Sequence, residues 1–410
     1  PLSKTLLPFQ RRQLFRSVKV TSYESLENLC TFTHGQAKTY SYIKDLSIGV
    51  KWEEVSHAEA KEAKDPGSPS NSIIERFLRQ LQNLKTVKIF GSTRITLLFL
   101  SPSVTSSLPK LESLNIISTL HSVPNPFNPS HYAGLHHCPE LDTLHLHIYC
   151  TSQEEIRFTT SPSLNLTSFG SKIRNASLVG PLTTDIDSIQ QLISNLSSVF
   201  LLSLVDTRHS LYPIHNLLDS LPSAEKLDVL ALGNVSQRDP IIEGGFVDHI
   251  KALTSLRGLS LISDFALFAP NLYSDIRTLP IMILGFENTA KVSLSQLTTL
   301  ISGPTKHSTL GCIMLNQLNG KIGTRMEEVG KPYYNSEEDE WQLYPDWVVP
   351  EWTEEFSEEG LVEFLEVAKK EGILVKGSAV DAIGITSQSE EEWRLIEDFE
   401  DALRQGEISG

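Results

Sequence analysis

One pattern returns along most of this chain: an apolar residue, two residues of any kind, a second apolar residue, one more residue, and a third apolar residue. The clearest copies begin at Leu111, Leu141, Val199, Leu227 and Leu256. Weaker copies begin at Phe15, Ile43, Leu84, Ile173, Leu279 and Leu310. Successive copies start 23 to 41 residues apart, so the chain is built from a recurring unit rather than from unrelated segments.

The pattern inside each unit favours one short strand. Its last two apolar positions alternate with other residues, as on a strand that buries one face. The 15–20 other residues must return the chain to the start of the next strand, and a helix does so most economically. A single unit cannot bury its apolar side, but stacked units form a continuous core. We therefore predict an α/β leucine-rich-repeat solenoid, a curved parallel sheet with helices on its convex side.

Two return segments have clear helical signals. Ser72 and Glu75 have the spacing of a capping box, and an apolar stripe follows at Ile74, Phe77, Leu78 and Leu81. After Thr184, a second stripe is formed by Ile186, Ile189, Ile193 and Leu196. The alternative is a doubly wound α/β fold, whose strands also alternate with helices. The solenoid is favoured because no glycine-rich turn follows a strand.

The pattern also sets the predicted domain limits. The solenoid covers residues 15–326, with a flexible insert at 52–70 that is charged and rich in Pro, Ser and Gly. Residues 327–410 contain 24 acidic and 6 basic residues, a net charge of −18, whereas the rest contains 26 acidic and 29 basic residues. This charge distribution argues against binding to nucleic acid or to an anionic membrane. The four widely spaced cysteines predict a reducing compartment, cytoplasmic or nuclear.

The acidic region contains two predicted helices. One carries Leu361, Phe364, Leu365 and Ala368, and another follows a capping box at Ser389 with Trp393, Ile396, Phe399 and Leu403. These helices either fold back to cap the last repeat or form an acidic tail that binds a partner; the sequence leaves both open.

Strand positions between the buried ones should line the concave face. In the later half of the surface most of these residues are small, neutral or apolar, which suits contact with a protein better than contact with a charged ligand. The alternative is that nothing binds there. Our candidates for contact with a target protein are Asn115, Thr143, His145, His147, Ser203 and Ser260.

Catalytic and cofactor motifs are missing from the sequence. It has no nucleophile elbow, Walker loop, zinc-protease motif or kinase signature, so we predict a protein that is not an enzyme and needs no cofactor. A metal site is the weaker reading of a local cluster of histidines and cysteines, because His145 and His147 share one strand face. The cluster comprises His136, His137, Cys138, His145, His147 and Cys150. We expect surface histidines and buried thiols, with Cys138 in a core position.

The N-terminal segment resembles a known family. Leu2-Ser3-Lys4, Leu7-Pro8, Arg11-Arg12 and Leu14-Phe15-Arg16-Ser17-Val18 resemble the last F-box helix and first strand of fungal F-box proteins with leucine-rich repeats. The similarity covers about 20 residues, so residues 1–14 are interpreted as the end of an F-box-like helix. The N-terminal F-box helices of such proteins are absent from this sequence.

The resemblance implies the substrate-recognition subunit of a cullin-RING ubiquitin ligase of the SCF type. In that role the partial F-box would contact a Skp-type adaptor and, through it, a cullin. The repeats would hold a target protein, and catalysis would belong to partner proteins. The rival interpretation is a non-catalytic leucine-rich scaffold or inhibitor-like protein unrelated to ubiquitin transfer. A hydrolase decorated with repeats is a third, which no motif supports.

Overall fold

The structure is a computed structural model. It describes residues 13–33, 37–49, 69–90, 93–118, 129–148, 172–180, 182, 186–206, 214–222, 224–234, 246–263, 272–286, 292–316, 332–335, 340–343, 354 and 356–383. The predicted insert at 52–70 lies almost entirely outside these residues. So do the F-box-like segment up to Arg12 and the predicted helix after Ser389.

Twelve strands form one parallel sheet, and their order in the sheet follows their order in the chain. The strands are β1 Ser17–Val20, β2 Asp45–Gly49, β3 Thr86–Phe90, β4 Ser113–Ser118, β5 Thr143–Ile148, β6 Asn175–Gly180, β7 Leu201–Asp206, β8 Val229–Asn234, β9 Gly258–Ser263, β10 Ile283–Phe286, β11 Cys312–Leu315 and β14 Leu374–Lys376. Two further strands, β12 Pro332–Asn335 and β13 Glu340–Leu343, pair antiparallel as a separate ribbon. A sheet that grows in one direction only has no point where strand order reverses, which excludes the doubly wound alternative.

Helical segments return the chain between strands. The α-helices are α1 Tyr23–Thr33, α2 Ala37–Tyr40, α3 Pro69–Leu78, α4 Thr93–Leu100, α5 Pro102–Thr105, α6 Ile186–Ser194, α7 Phe246–Lys251, α8 Leu272–Ile276, α9 Leu294–Ile301, α10 Glu358–Glu371 and α11 Ser378–Ala382. Among the described residues, two returns contain 3₁₀ helices instead: one at Pro129–His137 between β4 and β5, and two, at Ile214–Ser220 and Ala224–Lys226, between β7 and β8. The described chain therefore has an α/β solenoid-like fold.

The repeat pattern locates the strands closely. In ten of the eleven copies the strand begins two residues after the first apolar position, for example at Ser113 after Leu111. The predicted start of one copy at Leu279 is wrong. Strand β10 begins at Ile283, so the first apolar residue of this copy is Ile281. Leu279 and Ile281 are both buried, so the apolar spacing alone could not show which of them begins the copy.

A backbone ladder joins the units at the strand starts. The carbonyl of the residue before one strand accepts two N–H groups from the next unit. The Lys85 carbonyl, for example, accepts from the backbone N–H of Glu112 (2.8 Å) and of Ser113 (2.9 Å). The same pair of bonds recurs from Arg16 to Met282, and it fixes neighbouring units in register.

The core lies between the sheet and the helical segments. In the unit of β4, the pattern residues Leu111, Leu114 and Ile116 are fully buried. The predicted helix stripes face the same core, since Phe77 and Leu78 of α3 and Ile189 and Ile193 of α6 are buried. Helix α3 begins at Pro69, so Ser72 lies inside the helix and the predicted cap position is wrong.

Part of the acidic region adds one more unit to the sheet. Helix α10 packs on α9, and β14 pairs parallel with β11. Ser357 caps α10 by accepting a hydrogen bond from the Gly360 N–H at 3.1 Å, and Leu361, Phe364 and Ala368 are buried. The repeat pattern did not predict this strand. None of the helices in the described ranges combines the length and apolar character that crossing a bilayer requires.

Candidate protein-binding face

Each strand of the large sheet presents two different faces. In β5, Leu144, Leu146 and Ile148 are buried, whereas Thr143, His145 and His147 are partly exposed. The same alternation runs through the sheet, because successive side chains of a strand point to opposite faces. We call the side opposite the helices the open face. All six candidate contact residues lie on it, and all are partly exposed.

Strand register arranges the open face into straight rows. A central row crosses the sheet at Lys19, Ser47, Lys88, Asn115, His145, Ser177, Ser203, Ala231, Ser260, Gly285, Met314 and Lys376. Asn115, His145, Ser203 and Ser260 belong to this row. Thr143 and His147 lie one row to either side. Adjacent strands are about 4.8 Å apart, so consecutive members of a row are immediate neighbours.

The two histidines of β5 are neutral hydrogen-bonding groups rather than charges. Their rings are parallel within 5°, with centroids 6.2 Å apart. Burial, with a smaller contribution from the charge of Lys88, lowers the pKa of His145. Burial, with a smaller contribution from His145, lowers the pKa of His147 to about 4. The Nε2 of His147 lies 3.1 Å from the Oγ of Ser177, which fixes this ring in place.

Asn115 carries an unsatisfied polar atom. Its Oδ1 is buried and has no hydrogen-bond partner among the described residues. An unpaired buried acceptor costs about 1–3 kcal/mol.

Hydrogen bonds also fix Thr143. Its hydroxyl donates to the Oδ1 of Asp142 at 2.8 Å and accepts from the Nδ2 of Asn175 at 3.4 Å. This arrangement ties the strand starts of β5 and β6 together. It leaves Thr143 as a positioned polar group at the border of the face.

The histidine and cysteine cluster of the sequence separates in space. His145 and His147 lie on the open face, His136 and His137 lie together in the 3₁₀ helix Pro129–His137, and Cys150 is outside the described residues. Cys138 is buried, donates to the Thr105 carbonyl at 3.7 Å, and has its pKa raised by burial to about 12. Within the described ranges, no three His, Cys, Asp or Glu side chains come together as metal ligands.

The character of the open face changes along the sheet. In β3–β6 the first two rows are polar, and Lys88 is the one charged residue at their open-face positions. In β10, β11 and β14 the partly exposed residues are mainly apolar: Ile283, Cys312, Met314 and Leu374. Glu112 and Asp142 border the polar part at the strand starts, where Lys85 pairs with Glu112.

The sequence analysis missed the polar residues that β6 adds to the face. Asn175 and Ser177 were not assigned, although they lie in register with Thr143 and His145. No known protein-family model matches the sequence, and the comparison with curated proteins found no match.

Proposed function

We propose that this protein is a non-catalytic leucine-rich-repeat protein whose open face binds a target protein. One observation carries the proposal: across β4–β10, the central row of the parallel sheet holds small or neutral residues in register, from Asn115 to Gly285. Protein contacts are depleted in charge and tolerate such surfaces, whereas a small-molecule site requires a concave, mostly apolar pocket. The repeat spacing and the position of each strand within its copy support the leucine-rich-repeat assignment.

We further propose that the protein is the substrate-recognition subunit of a cullin-RING ubiquitin ligase. This rests on the F-box-like sequence at residues 2–18, with the face providing the target site. The alternative is a leucine-rich scaffold or inhibitor-like protein. The open face supports the ligase subunit and this alternative equally well, because no feature of that face is specific to ubiquitin transfer.

Site-specific photo-crosslinking in cells tests the binding face. A benzophenone amino acid is placed at Ser203 on the open face, and, as the matched control, at the exposed Lys251 of α7. We expect one crosslinked protein with the Ser203 probe that is missing with the Lys251 probe. Identical crosslinking from both positions, or none from Ser203, contradicts the proposal.

Affinity purification of the intact gene product separates ligase from scaffold. Recovery of a Skp-type adaptor and a cullin, together with accumulation of the crosslinked target after gene deletion, supports the ligase subunit. Recovery of the target without adaptor or cullin supports the scaffold.

A further inference from the structure

We propose that the open face binds a segment of its target that has two parts. An acidic side chain of the segment lies over β3–β6, and an apolar cluster of the segment lies over β10, β11 and β14. This inference rests on the proposed function and adds the chemistry and spacing of the bound segment. The acidic group is a carboxylate or a phosphate, since both are anionic and both accept hydrogen bonds through oxygen atoms.

The donor cluster consists of Lys88, Asn115, His145 and Ser177. These residues occupy the central row of four consecutive strands, so the side chains are in direct register. The cluster offers an ammonium, an amide, an imidazole and a hydroxyl group, all of which can donate hydrogen bonds. Lys88 is exposed, and neither Lys88 nor His145 pairs with another described residue through a hydrogen bond or ion pair. A ligand that carries negative charge and acceptor oxygens is therefore the complementary one.

The apolar patch consists of Ile283, Cys312, Met314 and Leu374. Ile283, Cys312 and Leu374 are register partners in three adjacent strands, and Met314 stands beside them in the central row, where Lys376 is its register partner on β14. The four apolar residues are partly exposed. Apolar side chains gathered at one end of an otherwise polar face suit an apolar anchor of the partner.

The sheet itself sets the distance between the two parts. Six and a half strand steps separate the middle of β3–β6 from β11, the middle strand of the apolar patch, which at about 4.8 Å each is roughly 31 Å. An extended chain covers about 3.4 Å per residue, so the acidic and apolar groups should be about nine residues apart. A shorter connection cannot reach both parts at once.

Designed peptides test the arrangement on the full chain. Each fluorescent peptide carries three glutamates or one phosphoserine, a Gly-Ser spacer of one or six residues, and three leucines. With six spacer residues the middle glutamate and the middle leucine are nine residues apart, whereas with one spacer residue even the outermost pair is too close to span the two parts. Fluorescence anisotropy should show at least tenfold tighter binding with the six-residue spacer. Replacing the glutamates by glutamine should cost about tenfold. Equal affinity of the glutamate and glutamine peptides, or of both spacers, overturns the proposal.

Charge-reversal variants locate the acidic end. Lys88→Glu should weaken the glutamate peptide about tenfold, leave the glutamine peptide unchanged, and improve binding of a lysine version. Lys251→Glu, at an exposed position on α7, should change none of these affinities. An equal loss in both variants overturns the proposal. If Lys88→Glu impairs folding, Lys88→Gln replaces it. This variant should weaken binding of the glutamate peptide about half as much on a logarithmic scale, and should leave the glutamine peptide unchanged.

Two further outcomes separate the inference from its basis. If the Ser203 probe still crosslinks to its target while the glutamate and glutamine peptides bind equally well, the proposed function stands and the two-part binding segment is refuted. If deleting residues 384–410 raises peptide affinity tenfold or more, the chain's own acidic end occupies the face, and an external acidic segment is excluded.

Discussion

Gly377 lies directly against the carbonyl of Leu315, where the last strand joins the sheet. A Cβ on Gly377 would be 2.4 Å from the Leu315 oxygen, and its φ of +115° is one that other residues rarely adopt. Only glycine fits this position, because any side chain would collide with backbone atoms of the neighbouring strand. The attachment of β14 to β11 therefore depends on this residue.

Gly377→Ala should detach the last unit, with a loss of about 2–4 kcal/mol in the free energy of unfolding. Gly372→Ala is the matched control: φ is +73°, but no atom lies within 4 Å, so only about 1–2 kcal/mol should be lost. Chemical denaturation measures both losses, and hydrogen exchange in 374–376 reports local opening. Equal losses would show that backbone strain alone, without the clash, determines the cost.

Leu230→Asp should unfold its part of the solenoid, since Leu230 is fully buried and the new carboxylate would have no partner. We expect a loss above 4 kcal/mol, visible as early melting in circular dichroism. Ala231→Asp, one residue later on the open face, should cost less than 1 kcal/mol. Similar losses would mean that both faces of β8 are packed.

Arg257→Met alone should lower the free energy of unfolding more than the double variant that combines Arg257→Met with Asp228→Leu. Asp228 is buried, and its carboxylate pairs with the Nε of Arg257. Removing only the arginine leaves a buried charge without its cation, at a cost of about 3 kcal/mol, whereas removing both leaves an apolar pair. A double-mutant cycle by urea denaturation measures the coupling. If the losses of the two single variants simply add up in the double variant, the coupling between Arg257 and Asp228 is refuted.

His147 should make stability depend on pH. Burial lowers its pKa to about 4 in the folded protein, against about 6.5 in the unfolded chain. Between these values the unfolded chain binds more protons, so stability should be complete above pH 6.5 and should fall as the pH drops towards 4. Because the two pKa values differ by about 2.5, His147 should account for about 3 kcal/mol of that fall at pH 4.

The comparison of wild type with His147→Gln isolates this residue, because the other titrating groups are common to both proteins. The variant should show a shallower loss of stability between pH 6.5 and 4 in denaturation curves. Parallel pH profiles for the two proteins would place the ring in water and refute its burial.

Strand positions could be predicted from sequence because a period of two and a fixed apolar spacing determine which residues are buried. Return segments could not: Gly134 lies in a 3₁₀ helix where a Cβ would be 2.4 Å from the Leu100 carbonyl, a close approach that no local pattern encodes. Strand β14 was missed because Val375 is the buried residue among its three, and Gly372 and Gly377 stand where the repeat has its first and third apolar residues.

The candidate face was predictable to the same extent. The alternation placed Asn115 and His145 on one side, but their neighbours depend on which strands pair. The contact of His147 with Ser177 joins residues thirty positions apart, and the lowered histidine pKa values come from burial in the assembled sheet. Local sequence contains neither quantity.

The order of strands in the sheet also sets an order of assembly. Most neighbouring strands pair across about thirty residues, so each unit can join its predecessor soon after synthesis. Strand β14 must wait longer, because Leu374 meets Cys312 across 62 residues. During translation β11 therefore has an unpaired edge for the longest time, and at that stage a nascent chain is most exposed to mispairing.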